Sequence, residues 1–207
     1  NCIVVAPGAN ALLLPVDMAQ VKNLSEAEII LMQLEIPMET IEAVAKIAKA
    51  NHQKLIINPA PAQKLSDELL HGLFLVTPNE TEAAMLTGIP VIDERSASEA
   101  AEVFLRKGVQ NVVITLGKKG AYFQNADLKF QIEAPVVQAK DTTAAGDTFN
   151  GALTVAITEK MEWEQAIHFA VRAASVSVTR MGAQASVPLR SEIEPLWNHN
   201  KNHIVSL

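Results

Sequence analysis

The sequence predicts an α/β protein built on a mainly parallel sheet. Three observations lead there. Apolar runs of strand length recur at residues 28–34, 54–58, 74–77 and 111–116. Segments with apolar residues at helical spacing separate them. A strand that returns through a helix favours parallel pairing with its predecessor. Finally, Glu35, Asn58, Asn79 and Thr115 stand where these runs stop. In a parallel sheet that is the end where ligands gather.

In chain order, residues 2–6 read as a short strand, 7–11 as a turn and 16–22 as a short helix. Residues 28–34 are apolar enough for a strand covered on both faces. A helix follows from Pro37, a residue suited to a first turn, to about Ala50, with Ile41, Val44, Ala45, Ile47 and Ala48 on one face. Residues 54–58 form the next strand, closed by Pro59-Ala60-Pro61, and Ser66 opens a short helix. The strand at 74–77 ends at Pro78; helices at 81–87 and 96–107 stop at Gly88 and Gly108. After the strand at 111–116, residues 121–125 and 129–133 suit a hairpin turning at Asn125-Ala126-Asp127. Long helices are expected at about 147–159 and 163–180, and a short one at 191–198.

Composition narrows the function classes. The 207 residues suffice for one sizeable domain, and the apolar share of 49% is that of a globular protein. A net charge of −6, with no long Lys/Arg run, argues against a nucleic-acid surface. No apolar run is long enough to span a bilayer, and no signal peptide or internal repeat is present. The single Cys2 excludes an internal disulfide and is compatible with a reducing cytoplasm. His52, His71, His168, His199 and His203 have no metal-ligand spacing.

The chemistry concentrates in Asp141-Thr142-Thr143-Ala144-Ala145-Gly146-Asp147 and the helix that follows. Small residues before a helix let an anion approach unpaired backbone N–H groups at the positive end of the helix dipole. Two readings of Asp147 stay open: a helix N-cap, or a base that takes a proton from a hydroxyl attacking a phosphate. Asn79 and Glu82 spell a capping box, and could also face phosphates and the waters of Mg²⁺. Thr115-Leu116-Gly117-Lys118-Lys119-Gly120 is at least a tight turn. It lacks the spacing of a Walker A loop. Glu35 is a strand-end carboxylate, and Gly182 a helix stop.

These motifs resemble those of the ribokinase-like (pfkB) family of sugar and nucleoside kinases. The loop before Asp147 is similar to the family's second signature, usually Gly-Ala-Gly-Asp; Ala144 replaces the first glycine, a departure that points to a subfamily. Asn79 and Glu82 match an Asn-x-x-Glu motif, residues 115–120 a Thr-Leu-Gly-x-x-Gly segment, and Met32-Gln33-Leu34-Glu35 a Met-Gln-Leu-Glu segment. The resemblance implies a three-layer αβα fold and ATP-dependent phosphorylation of D-ribose at O5. It implies Asp147 as catalytic base and Ala144, Ala145 and Gly146 as an anion hole. ATP would meet Asn79, Thr115, Leu116, Gly117, Lys118, Lys119, Gly120, Gly146 and Asp147, with Lys118 or Lys119 reaching a phosphate. The sugar would meet Glu35 and Asp147, and Glu82 would hold Mg²⁺ through water. A K⁺ site would draw on Asp141, Thr143, Ser177, Arg180, Gly182 and Ser186. Oxygen ligands suit such a hard cation. Val171 stands where ribokinases often carry a histidine near the adenine.

The resemblance covers the whole chain but only the C-terminal two thirds of the family's length. With no initiator Met and an opening directly into a strand-like run, residues 1–207 are expected to be a single partial kinase domain. The first sheet strands, most of the lid and most sugar contacts would be absent, and weak or no activity is expected from this chain alone. A cytoplasmic homodimer is implied for the full-length protein. A kinase for another sugar or nucleoside and a non-catalytic nucleotide-binding fragment are the alternatives.

Overall fold

A computed structural model describes residues 8–193 and a two-residue strand at 205–206. The expected strand at 2–6 lies outside the described residues. Seven strands form one sheet in sequence order: β1 Ile29–Met32, β2 Lys54–Ile57, β3 Leu75–Val76, β4 Asn111–Thr115, β5 Ala121–Asn125, β6 Lys129–Ile132 and β7 Val205–Ser206. The first four run parallel, and β5, β6 and β7 follow, each antiparallel to the strand before it. The helices are α1 Met38–Ala50, α2 Asp67–Leu70, α3 Glu80–Thr87, α4 Glu94–Arg106, α5 Ala145–Thr158, α6 Trp163–Ser177 and α7 Arg190–Ile193.

The pleat of the strands divides the apolar residues between two cores. Leu55 and Ile57 of β2 and Val112 and Ile114 of β4 join Ile41, Val44, Ala83 and Phe104 from α1, α3 and α4. Their neighbours Ile56 and Val113 face Phe149, Leu153, Ile167 and Ala170 from α5 and α6. Successive side chains of a strand point to opposite faces, so continuous apolar runs demand cover on both. This is the three-layer αβα fold expected from the sequence.

Helix boundaries follow local chemistry. Asn79 and Glu82 close a reciprocal capping box on α3, each backbone N–H donating to the other's side chain at 2.8 Å. Helix α4 starts two residues before the expected Ser96, because Asp93 caps it and Ser96 completes the box. Helix α6 stops at Ser177 rather than Arg180. There the N–H groups of Thr179 and Arg180 bond back three residues, and the hydroxyls of Ser177 and Thr179 donate to carbonyls of the preceding turn. Where a short helix was expected at 16–22, a 3₁₀ helix runs from Pro15 to Gln20. Of the expected helix at 191–198, Arg190–Ile193 is seen, and the rest lies outside the described residues. Arg190 joins α7 to the end of α5 through a bidentate pair with Glu159.

Candidate active site

Helix α5 begins at Ala145, so Asp147 is not its cap. Ala144 holds the cap position in the left-handed region, φ 59°, with no side-chain bond to the helix. Asp147 therefore stands on the first turn, exposed, its carboxylate unspent on capping. That removes the simpler of the two sequence readings.

The anion loop differs in one detail from expectation. The N–H of Ala145 reaches the Thr142 carbonyl at 3.3 Å, whereas those of Ala144, Gly146 and Asp147 have no acceptor among the described residues. Gly146 is exposed. Unpaired N–H groups at a helix start form a seat for an anion.

A side chain that sequence reasoning did not single out completes this turn. Gln33, the residue after β1, donates from Nε2 to Asp147 Oδ1 at 2.5 Å. Glu35 lies two residues further on and is exposed. The segment after β1 and the first turn of α5 thus meet at the carboxyl end of the sheet.

Neighbouring strand ends bring the next motifs there. Asn79 pairs with Thr115 in an isolated parallel bridge, and the Thr115 N–H donates to the Pro78 carbonyl at 3.0 Å. Burial raises the Glu82 carboxyl above its usual range, against the lowering effect of the Asn79 N–H. Among the described residues only Oε2 of Glu82 takes a protein donor, leaving Oε1 as an acceptor. Past Thr115, the chain turns at Gly117–Lys119, and Leu116 is buried. Gly120 is fixed by space: a Cβ there would sit 1.8 Å from the Ile132 carbonyl oxygen. Of the two lysines, Lys119 donates from Nζ to the Ile92 carbonyl at 2.9 Å. Lys118 is exposed.

The loops on the far side of α5 also converge. Asp141 accepts from the N–H of Thr143 and of Gly182, both at 2.9 Å. Bonds from the Thr143 side chain and backbone, then from the Gly182 N–H, hold its carboxyl below the usual range. Ser177 and Ser186 are buried, and their hydroxyls donate to the Ala174 and Ala183 carbonyls, which leaves the oxygens free to accept. The Arg180 guanidinium pairs with Glu192 at 2.5 Å; being donor-only it cannot ligate a cation, so any such contact would come from the Arg180 backbone oxygen. Among the described residues no His, Cys, Asp and Glu gather into a cluster that could hold a metal. No described helix is long and apolar enough to cross a membrane.

Sequence comparison decides the family. The pfkB family carbohydrate kinase pattern matches residues 1–190. The chain belongs to the pfkB family of carbohydrate kinases. As a pfkB-family chain it is 48% identical over 200 residues to a ribokinase of Haemophilus influenzae, covering 96% of this chain and 65% of that protein. A ribokinase structure from Thermotoga maritima superposes with TM-score 0.85 at 41% identity, over 96% of this chain and 66% of the other. An Arabidopsis thaliana ribokinase structure, complexed with ribose and ATP, superposes with TM-score 0.90 at 33% identity, over 97% and 66%. The chain thus spans just under two thirds of the length of these relatives.

Proposed function

We propose that the protein transfers the γ-phosphoryl group of ATP to O5 of D-ribose, giving ribose 5-phosphate and ADP. The observation that carries this reading is the first turn of α5. It offers an exposed carboxylate free of capping duty beside unpaired backbone N–H groups. A base next to an anion seat is what a hydroxyl attacking a phosphate requires. Ribokinases of 48% and 33% identity, the latter complexed with ribose and ATP, point to these substrates.

Asp147 accepts the proton of the ribose hydroxyl as its oxygen attacks in line. The N–H groups of Gly146 and Asp147 face the charge that gathers on the transferred group. Glu35 orients the sugar from the segment after β1. Asn79 and residues 115–120, with Lys118 as the available ammonium, line the path of ATP.

The chemistry that Mg²⁺ would supply here is shielding of the phosphate charge. Glu82 fits the role of holding it through water, since one carboxylate oxygen takes no protein donor. The oxygens of Asp141, Thr143, Ser177, Gly182, Ser186 and the Arg180 backbone suit K⁺, whose charge would act on the anion loop electrostatically.

The test is Asp147→Asn. General-base catalysis contributes roughly 10²–10⁴-fold, so single-turnover transfer to ribose should fall by about that factor. ATP affinity, measured calorimetrically, should change little. An Asn variant that still transfers at the parent rate would remove Asp147 as the base.

A further inference from the structure

A line of buried polar side chains runs beneath the anion loop. Asn58, Thr77 and Asn150 are 8%, 1% and 5% exposed. Asn58 Nδ2 donates to the Thr77 carbonyl at 2.8 Å. The Thr77 hydroxyl donates to Asn150 Oδ1 at 2.7 Å. Asn150 Nδ2 donates to the Gly146 carbonyl at 2.9 Å. The line starts at the end of β2, crosses the end of β3 and finishes on the first turn of α5.

We infer that Thr77 and Asn150, backed by Asn58, are positioning residues that set the Gly146–Asp147 turn against the nucleotide side of the site. The inference rests on the kinase reading above. Its logic is directional. A hydroxyl offers one donor, and a primary amide has distinct donor and acceptor ends. With Thr77 donating, the Asn150 oxygen must face β3 and its NH₂ must face Gly146. The amide cannot turn over without leaving a buried donor unpaired. The same strand end governs the other half of the site, because Pro78 and Asn79, next along the chain, pair with Thr115. Thr77 therefore couples the loop that would hold ATP to the turn that would hold the base.

Packing alone does not call for these residues. Apolar side chains of similar volume would fill the space without the desolvation that buried polar groups incur. A fixed hydrogen-bonded line instead gives the turn one orientation.

The experiment compares the parent, Thr77→Val and Thr77→Ser. Valine keeps the volume and removes the donor; serine keeps the donor. In Thr77→Val we expect kcat for ribose phosphorylation to fall about tenfold, the scale of one hydrogen bond. KM for ATP should stay within about twofold on the same reasoning. Amide hydrogen exchange at Ala145 and Thr148, the bonded amides of this turn, should quicken in the unliganded protein while exchange in β2 and β4 does not. Thr77→Ser should restore both readouts. Should Thr77→Val fail to fold, Asn150→Ser reads the same link from the helix side. A valine variant with parental kcat, or with unaltered exchange at Ala145 and Thr148, overturns the inference, as does failure of serine to restore them. The exchange readout needs no substrate. It therefore decides on the link even if the parent protein proves not to phosphorylate ribose, a result that would remove the kinase reading instead.

Discussion

Gln33 and Asp147, 114 positions apart in the chain, are joined by a 2.5 Å hydrogen bond from the glutamine amide to the aspartate Oδ1. A hydrogen bond to a charged group is worth about 1.5–3 kcal/mol. That is enough to fix which way an exposed carboxylate points. Gln33→Met keeps the bulk and removes the donor. On the kinase reading kcat should fall about tenfold, and ATP affinity should hold, because the bond orients the base and not the nucleotide. Gln33→Glu should be worse than Met, since it sets a second carboxylate against Asp147. Steady-state kinetics on the three proteins check the order; equal rates in parent and Met variant would mean that the bond does not orient the base.

Asn79 serves as a cap, and on the proposed function it also faces ATP. Substitution separates the two. Asn79→Ser retains a capping oxygen, so α3 should keep its stability, whereas Asn79→Ala should cost about 1 kcal/mol. Both remove the amide that would meet the nucleotide. We therefore expect both to weaken ATP binding several-fold, with only Ala lowering the urea midpoint. If Ser binds ATP as the parent does, Asn79 is a cap and no more.

The Glu159–Arg190 pair ties α7 to the end of α5. Hydrogen bonding from Arg190, with its charge adding a smaller part, holds the Glu159 carboxyl below its usual range. A lowered folded-state value means that the contribution is fully present above the unfolded glutamate value, about 4.3. It is lost as pH falls through the lowered one. The parent should accordingly be more stable than Glu159→Gln at pH 7, and the gap should close in strong acid. The pair is exposed, so the gap should be small. Urea unfolding of both proteins at several pH values measures it; a gap independent of pH would contradict an ionic origin.

Gly120 has φ 94° and no room for a side chain, with the Ile132 oxygen 1.8 Å and the Ala134 nitrogen 2.8 Å from an added Cβ. Both atoms are backbone and cannot swing aside. Gly120→Ala should destabilise by more than about 2 kcal/mol, in the upper range for single changes, and should displace the 116–120 turn. Thermal unfolding and ATP titration should both register the change. Parental values in both would mean that β6 yields more easily than its pairing implies.

Much of this was readable in the sequence because the signals are local. The alternation of strands and helices follows from apolar spacing. The box of Asn79 and Glu82 is written in residues three apart. The start of α5 was not readable in that way. Asp is a favoured cap and Ala a poor one, yet Ala144 takes the cap in a left-handed conformation that nothing in its side chain announces. The role of Gln33 was hidden for another reason: its segment matched a motif in which Glu35 drew the attention, and its partner comes from a distant helix. Lys119 shows the same limit, since a lysine in a turn does not declare which carbonyl it will find. Tertiary packing decides each of these.

Strand order equal to chain order has a consequence for how the molecule assembles. Each strand from β2 to β6 can add to the one made just before it, so the sheet can grow as the chain leaves the ribosome. The exception is α5, which must travel back from β6 across the sheet to reach the end of β1. A nascent chain halted before residue 145 should then hold most of its framework and none of its base. Catalytic competence, on this view, arrives as one late docking event, and stalled chains of increasing length should show a single step in activity once α5, α6 and the loop after α6 have all emerged, rather than a gradual rise.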